Sequence, residues 1–475
     1  MHTELVRHRL RALARRYVRP GPRYTSYPTA ADFSSLTGED YRRHLVRAGR
    51  REGDPWSLYV HIPFCAQRCS FCACSVIASP EHDRVAAPYV DDLVREVGLV
   101  SKHIGSRRRL AQLHLGGGTP TYLAPALLGR VFETIAREFI RDPEGEWSVE
   151  LDARVTSQAH VDVLGEFAVD RVSLGVQDLD AEVQRMIGRE QSLGRIVEII
   201  RACRQAGISG VNLDLVYGLP GQTRESMGRT IAGVLELLPD RLALYGYAHM
   251  PWAPGRGNQR RIDERALPGP DARLELFLSA REQLLAAGYQ AIGMDHFALP
   301  GDPLAKADRA GTLRRNFMGY AVVTGADILG LGVTAIGDVA GAYVQNHGKL
   351  VHWREAIARG ELPTARGLVR SREDELRGAI IADLMCRHFV DKRAIESRFA
   401  AVDHEPWRFD ERFALERAEL AGAIADGLVI ETPEALLLTE TGKLFVRNVA
   451  MAFDARLRAK RAEAAGAGPR FSATV

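Results

Sequence analysis

The hydrophobic and polar positions of this chain change rhythm along its length. From about residue 55, short apolar or β-branched runs alternate with longer stretches of helical period. The runs LYVHIPF (58–64), QLHLGGG (112–118), SVELDAR (148–154), VSLGVQ (172–177), GVNLDLVYGLP (210–220), LALYGYA (242–248) and YQAIGMDHF (289–297) predict strands. The helical period is clearest over 192–206, where Leu193, Ile196, Val197, Ile200 and Cys203 form one stripe and Gly207 follows as a stop. Repeated strand–helix units imply a parallel sheet covered by helices. Six or seven units fall short of the eight that close a full barrel, so the expected fold class is α/β, an incomplete, open (β/α)6-type barrel.

After about residue 340 the strand rhythm stops. ELRGAIIADLMCRHF reads as a helix, and GLVIETPEALLLTETGKLFVRNVAMAF as a short hairpin running into a helix. Ahead of the barrel, RPGPRYTSYPTAADF (19–33) carries three prolines, cannot be one continuous helix, and reads as an extended segment. The expected organisation is a basic N-terminal arm with this segment over 1–50, a partial barrel over 51–340, and a mainly helical C-terminal domain over 341–475. The Ala/Gly-rich tail after Arg461 is expected to fray.

Composition narrows the class. With 475 residues, 46% hydrophobic and 26% charged, the chain has material for more than one core and excludes both disorder and a small disulfide-stapled scaffold. Sixty-three Lys and Arg against 60 Asp and Glu leave +3, too even to argue for nucleic acid. The local distribution is less even: residues 1–23 hold seven arginines and one acid, Glu4. No run approaches the roughly 18 apolar residues of a membrane span, and the N-terminal stretch lacks the apolar core of a secretory signal. The expectation is a cytoplasmic protein with no membrane partner.

Six cysteines are few, but Cys65, Cys69, Cys72 and Cys74 fall within ten positions, directly after the first strand. In a reducing compartment such a group means metal or redox chemistry in preference to disulfides. Cys65, Cys69 and Cys72 have the spacing C-x3-C-x2-C, three thiolates on one loop. Three ligands leave one iron of a 4Fe–4S cluster open, whereas a structural zinc knuckle asks for paired C-x2-C units and a full tetrahedral set. Other polar or glycine-rich positions also follow strands: GGGTPT after the second, Glu150 in the third, Gln177 ending the fourth, YGLPGQT after the fifth. In a strand–helix barrel these all gather at one mouth.

The motifs HIPFCAQRCSFC and GGGTPTYL resemble the radical S-adenosyl-L-methionine (SAM) superfamily. PRYTSYP (22–28), CAC (72–74), SLGVQD (173–178), NLDLVYGLPGQT (212–223), GMDHFA (293–298), RNF (315–317) and RNVAMAFD (447–454) extend the resemblance, from about residue 20 to about 460, to the oxygen-independent coproporphyrinogen III oxidase family of heme synthesis. That resemblance implies one 4Fe–4S cluster on Cys65, Cys69 and Cys72, with Cys74 carried by the family but not a ligand, and two SAM molecules per chain. Phe71, Gly118, Thr119, Gln177, Arg189, Asp214 and Ala248 match contacts of the cluster-bound SAM, and Tyr59, Gly117, Glu150 and Ile336 match contacts of the second; Cys74, Tyr59 and Glu150 are the implied catalytic group. Gly117 and Gly118 are expected to let backbone approach the ligand closely. The implied reaction turns two propionates of coproporphyrinogen III into vinyl groups: a deoxyadenosyl radical takes a β-hydrogen, then CO2 and one electron leave, giving protoporphyrinogen IX. An external reductant such as a flavodoxin or ferredoxin is implied, and a monomer is expected. The arm's arginines, Arg23 first, are expected to meet the propionates. Two features bear on alternatives. Where the family pattern reads NFQGY, this chain has Met318, which cannot donate as an amide does. The rival is a heme-binding chaperone of the same superfamily, whose members typically lack the equivalents of Cys74 and PRYTSYP.

Overall fold

A computed structural model describes residues 2–253, 255–322, 325, 327–403, 407–463 and 471–474. Seven strands run parallel: Asp327–Leu331, Trp56–Ile62, Arg109–Gly117, Ile140–Leu151, Arg171–Gln177, Gly210–Tyr217 and Arg241–Gly246, in that spatial order. Antiparallel strands extend the sheet at both flanks, and its ends do not meet, so the barrel is open. Helices cover the outer face.

The period of two decides what faces where. Leu58, Val60, Ile62, Leu113, Leu115, Val149, Val172, Leu174, Leu213 and Leu244 point outward into the main core between sheet and helices. The alternate positions are polar and bond across strands inside the half-barrel: Ser57 Oγ to Gln112 at 3.1 Å, His114 to Ser148 at 2.8 Å, Ser173 Oγ to Asp214 at 3.0 Å. At the strand starts, Arg171 and Arg241 pair with Asp302 at 3.3 and 2.8 Å, and Arg171 with Glu146 at 3.1 Å, plugging that end with charge. The carboxyl ends of the strands stay open. A polar lining of this kind is a ligand surface, not a core.

Several expectations need correction. The run 289–297 is two short antiparallel strands, Gln290–Ile292 and His296–Ala298, turned at Gly293 with φ +57°. The remaining parallel strand, Asp327–Leu331, was not read from the sequence. Strands continue past 340: Ala342–Asn346 and Thr364–Val369 belong to the main sheet, the latter pairing with Ser34–Ser35, so the expected boundary at 340 cuts the sheet. The helix expected over 192–206 spans Leu193–Gln205, with Ile196, Ile199, Ile200 and Cys203 buried and Leu193 exposed.

The C-terminal region is helical apart from a small three-stranded sheet. It shares a second core with the arm: Leu10, Leu13, Tyr24 and Tyr27 pack with Leu376, Phe409, Phe413 and Phe453. Part of the tail expected to fray, 464–470, lies outside the described residues; beyond it Ser472 and Thr474 bond to the backbone of Gly21 and Arg19 at 3.1 and 3.0 Å. Among the described residues no helix is long and apolar enough to cross a membrane.

Candidate functional site

The cysteine loop leaves the Trp56–Ile62 strand at the open mouth. Its backbone is clamped from a distant segment. Asn258 Nδ2 donates to the carbonyls of Cys69, Ser70 and Cys72 at 3.0, 3.1 and 2.9 Å, and the fully buried Gln259 donates to Phe71 O at 2.9 Å and Ala248 O at 3.1 Å. Phe71 packs on an apolar pad formed by Val183, Ile187, Leu219 and Tyr247, so much of its ring is committed to protein.

The thiols sit in a cationic setting. Arg189 and Arg154 donate to Cys69 Sγ at 3.7 and 3.8 Å. The Cys74 amide donates to Cys72 Sγ at 3.4 Å, and the Cys74 thiol, with Arg68 and Arg189, draws the Cys72 thiol down to about 6 against the opposing effect of burial. Burial pushes Cys65 up to about 11, although Thr119 Oγ1 lies 3.4 Å from its sulfur. Among the described residues no three His, Cys, Asp or Glu side chains converge as ligands of a single ion. A cuboidal cluster spreads its thiolates more widely than one ion does, and three thiols on one clamped loop, neutralised by flanking arginines, fit that group.

The GGGT segment serves internal packing first. A Cβ at Gly116 would stand 2.8 Å from the Glu150 carboxylate; at Gly117, whose φ is +109°, 2.4 Å from the His61 ring; at Gly118, 2.6 Å from Phe64 O. The glycines are therefore required by the strand and loop beneath them, a reason different from the ligand approach expected. Gly118 N and Thr119 N donate to Ile62 O and Phe64 O, both at 2.8 Å, locking this segment to the start of the cysteine loop.

Two groups of the expected residues come together. In one, Glu150 accepts from Gly117 N at 3.0 Å and faces His114 Nε2 at 3.4 Å; Tyr59 OH bonds His61 Nδ1 at 2.8 Å and stacks on His114 at 6.0 Å. Burial pushes Glu150 up, but His114, the Gly117 amide and His61 outweigh it and hold the carboxyl below its ordinary range. Its side chain keeps 40% exposure, enough to reach a ligand. Cys74 is exposed and lies within electrostatic reach of both Tyr59 and Glu150. Ile336 adjoins Gly330, the register partner of Tyr59.

In the other group, Arg189 donates through Nε and Nη2 to Gly175 O at 3.0 and 2.6 Å and through Nη1 to Asp152 at 3.0 Å, and Gln177, at φ +67°, meets it over Gly175. The carboxylate that Arg189 faces is thus Asp152, itself held by Arg154 at 2.6 Å. Asp214 accepts from Ser173 and, at 2.8 Å, from Asn212; burial and the nearby charge of Glu150 push it up to about 6. The polar lining supplies both donors and acceptors, as a zwitterion joined to a ribose needs, and Asn212 Oδ1 and Gln191 Oε1 are buried acceptors without a partner.

His61, His114, Asp152, Arg154, Asn258 and Gln259 were not singled out from the sequence. For the first four the available signal was alternation: His61, His114 and Asp152 each sit two positions, and Arg154 four, from an expected residue or glycine on the same strand face or its continuation. Nothing local marks Asn258 or Gln259.

Arg23, expected to meet the propionates, pairs here with Asp295 at 2.9 Å and lies over the Tyr245 ring. Along the helix His2–Tyr17, Arg7 and Arg11 pair with Glu275, Arg15 with Asp271 and Arg16 with Asp426. These arginines fasten the arm.

A family model for the radical SAM superfamily matches residues 59–232. The chain is 41% identical to an oxygen-independent coproporphyrinogen III oxidase of Pseudomonas aeruginosa over 451 residues, covering 93% of this chain and 95% of the relative. It is 38% identical to one of Escherichia coli, covering 94% and 96%. Among solved structures, the Escherichia coli coproporphyrinogen III oxidase, described as a radical SAM enzyme, superposes with a TM-score of 0.86 at 37% identity, covering 91% of this chain and 97% of that one.

Proposed function

The chain belongs to the oxygen-independent coproporphyrinogen III oxidase family of radical SAM enzymes, and from that premise we propose how its residues divide the work. It is an oxidoreductase of heme biosynthesis, converting two propionates of coproporphyrinogen III to the vinyl groups of protoporphyrinogen IX, and it uses a 4Fe–4S cluster and SAM. When bound, the cluster supplies the electron that cleaves SAM and so provides the radical for hydrogen abstraction.

Cys65, Cys69 and Cys72 hold the cluster, and Arg154 and Arg189 offset the thiolate charge at Cys69. Phe71, Gly118, Thr119, Gln177, Arg189, Asp214 and Ala248 bind the SAM at the cluster. Tyr59, Gly117, Glu150 and Ile336 bind a second SAM, with Cys74 beside them. What supports two sites is the division of the lining into a Glu150–His114–Tyr59 group and an Arg189–Gln177–Asp214 group. Met318 stands where the family carries a side-chain amide, and its own backbone N–H donates to Asn316 Oδ1 at 2.9 Å.

The reductant is a small acidic electron carrier of the flavodoxin or ferredoxin kind; Arg68, Arg256, Arg260 and Arg261 on and beside the cluster loop offer it a basic surface. We take the working unit as a cytoplasmic monomer, since every proposed ligand comes from one chain and the thiols need a reducing compartment.

The observation that carries this reading is the clamped three-thiol loop at the mouth of a polar-lined half-barrel. Anaerobic incubation with coproporphyrinogen III, SAM and a reductant tests it: release of CO2 and a divinyl product is expected, and stable heme binding with no CO2 would favour the chaperone.

A further inference from the structure

A second concave surface lies beside the barrel. A cavity of about 490 Å³ opens between the arm, the hairpin of Arg314–Asn316 and Gly319–Ala321, the strands Asp327–Leu331 and Ile336–Val339, and the helix Arg372–Arg387. Five arginines line it: Arg314, Arg315, Arg370, Arg372 and Arg398. The four lining acids do not cancel them. Asp338 is taken by Arg370 at 2.7 Å, Asp374 by Arg456 at 2.8 Å from outside the lining, and Asp383 by Arg387 at 3.3 Å, which leaves Glu375. Among the described residues Arg314, Arg315 and Arg398 make no ion pair within contact distance.

The hairpin is short of acceptors. Arg315 lies over the Tyr320 ring at 4.4 Å, yet its Nε and Nη1 are buried without a hydrogen-bond partner. Next to it, Asn316 is 8% exposed; its Oδ1 accepts from Met318 N, and its Nδ2 is buried and unpartnered. Unsatisfied donors of this kind are costly, and all three can only donate. An anion with two oxygens supplies the missing acceptors.

We propose that this cavity is a carboxylate subsite that anchors propionates of the tetrapyrrole which do not react, with Arg315, Asn316 and Arg398 as its donors. The proposal rests on the coproporphyrinogen reading. Its position suits that task. Phe317 packs against the same Phe33, Tyr343 and Leu368 cluster as Ile336, which is assigned to the second SAM, and Arg315 on the other side adjoins Asp295, which also holds Arg23 and His296. The arm contributes Thr25 and Ser26 to the wall, so PRYTSYP borders the subsite even with Arg23 paired to Asp295.

Binding of coproporphyrin III, a fluorescent oxidised form of the substrate with its four propionates, tests the subsite on reconstituted protein, alongside its uncharged tetramethyl ester. Arg315→Gln and Arg398→Gln should each weaken coproporphyrin III about tenfold, as loss of a charge-assisted hydrogen bond does, and leave the ester unchanged. Arg398 is exposed, so its variant remains informative if Arg315→Gln fails to fold. Excess inorganic phosphate that displaces the porphyrin in wild type but not in the variants also supports the subsite. Unchanged coproporphyrin III affinity in folded variants, while wild type still releases CO2, overturns the subsite and leaves the decarboxylase standing. Weakened affinity in the variants, with no CO2 from wild type, keeps the subsite and overturns the decarboxylase.

Discussion

Cys72 and Cys74 share one hydrogen-bonded turn but differ in surroundings: Cys72 is half-buried between cationic side chains, and Cys74 is exposed toward the Glu150 group. Cys72→Ala should therefore abolish the visible iron–sulfur absorbance, as should Cys65→Ala and Cys69→Ala. Cys74→Ala should retain it and lose product formation; iron content and the visible spectrum after anaerobic reconstitution decide this. Asp214 gives a pH test. Its folded pKa of about 6 exceeds the ordinary carboxyl value of about 4, so the folded state holds the proton more tightly. The stability this adds is present below about pH 4 and is lost as pH rises toward 6. Across that window wild type should lose on the order of 2 kcal/mol relative to Asp214→Asn, measured by urea unfolding at several pH values; a gap that moves the other way contradicts the assignment. At this scale the sequence made the cysteines and Glu150 visible through motif and resemblance. It hid His114 and Asp152, because a polar residue alternating in a strand looks the same whether its face meets bulk water or a cavity.

The cysteine loop has no regular structure of its own over most of its length, and its shape depends on Asn258 and Gln259 from about 190 positions away. Asn258→Ala removes three hydrogen bonds from one loop. Faster loss of iron to a chelator, by about fivefold or more, should accompany a change in global unfolding free energy of only about 1–2 kcal/mol, because the bonds lie at the rim. Equal chelation rates would mean that the loop holds its own shape. Elements with strong periodicity were legible: the parallel strands from 56 to 246 and the helix Leu193–Gln205 lie near where alternation and a 3.6-residue period put them, except that the third strand begins at Ile140, eight residues before the expected run. The run 289–297 misled because a strand and a tight hairpin with central glycine have the same composition. Asp327–Leu331 escaped because it is short, with all five residues buried, so no alternation marks it.

The arm joins the two halves of the molecule. Arg447 donates to Pro22 O at 2.9 Å, Tyr24 OH to Asp454 at 2.9 Å, and Tyr343 OH to Tyr27 O at 3.2 Å, while both arm tyrosines are buried in the second core. Deleting residues 1–28 would strip that core as well as one wall of the arginine cavity, so a lowered melting temperature is expected. Tyr27→Ala alone should cost about 3 kcal/mol or more in chemical unfolding, whereas Arg15→Ala, which removes only an exposed ion pair, should leave the unfolding midpoint nearly unchanged. That long-range packing was not legible in the sequence, since proline-broken PRYTSYP carries no period to show what it lies against. Two-SAM decarboxylation at the clamped thiols of this polar half-barrel is checked by counting 5′-deoxyadenosine against protoporphyrinogen IX in anaerobic turnover. It predicts two per product, and neither product in Cys72→Ala. Divinyl product formed without SAM cleavage, or SAM cleaved with no propionate lost, would contradict it.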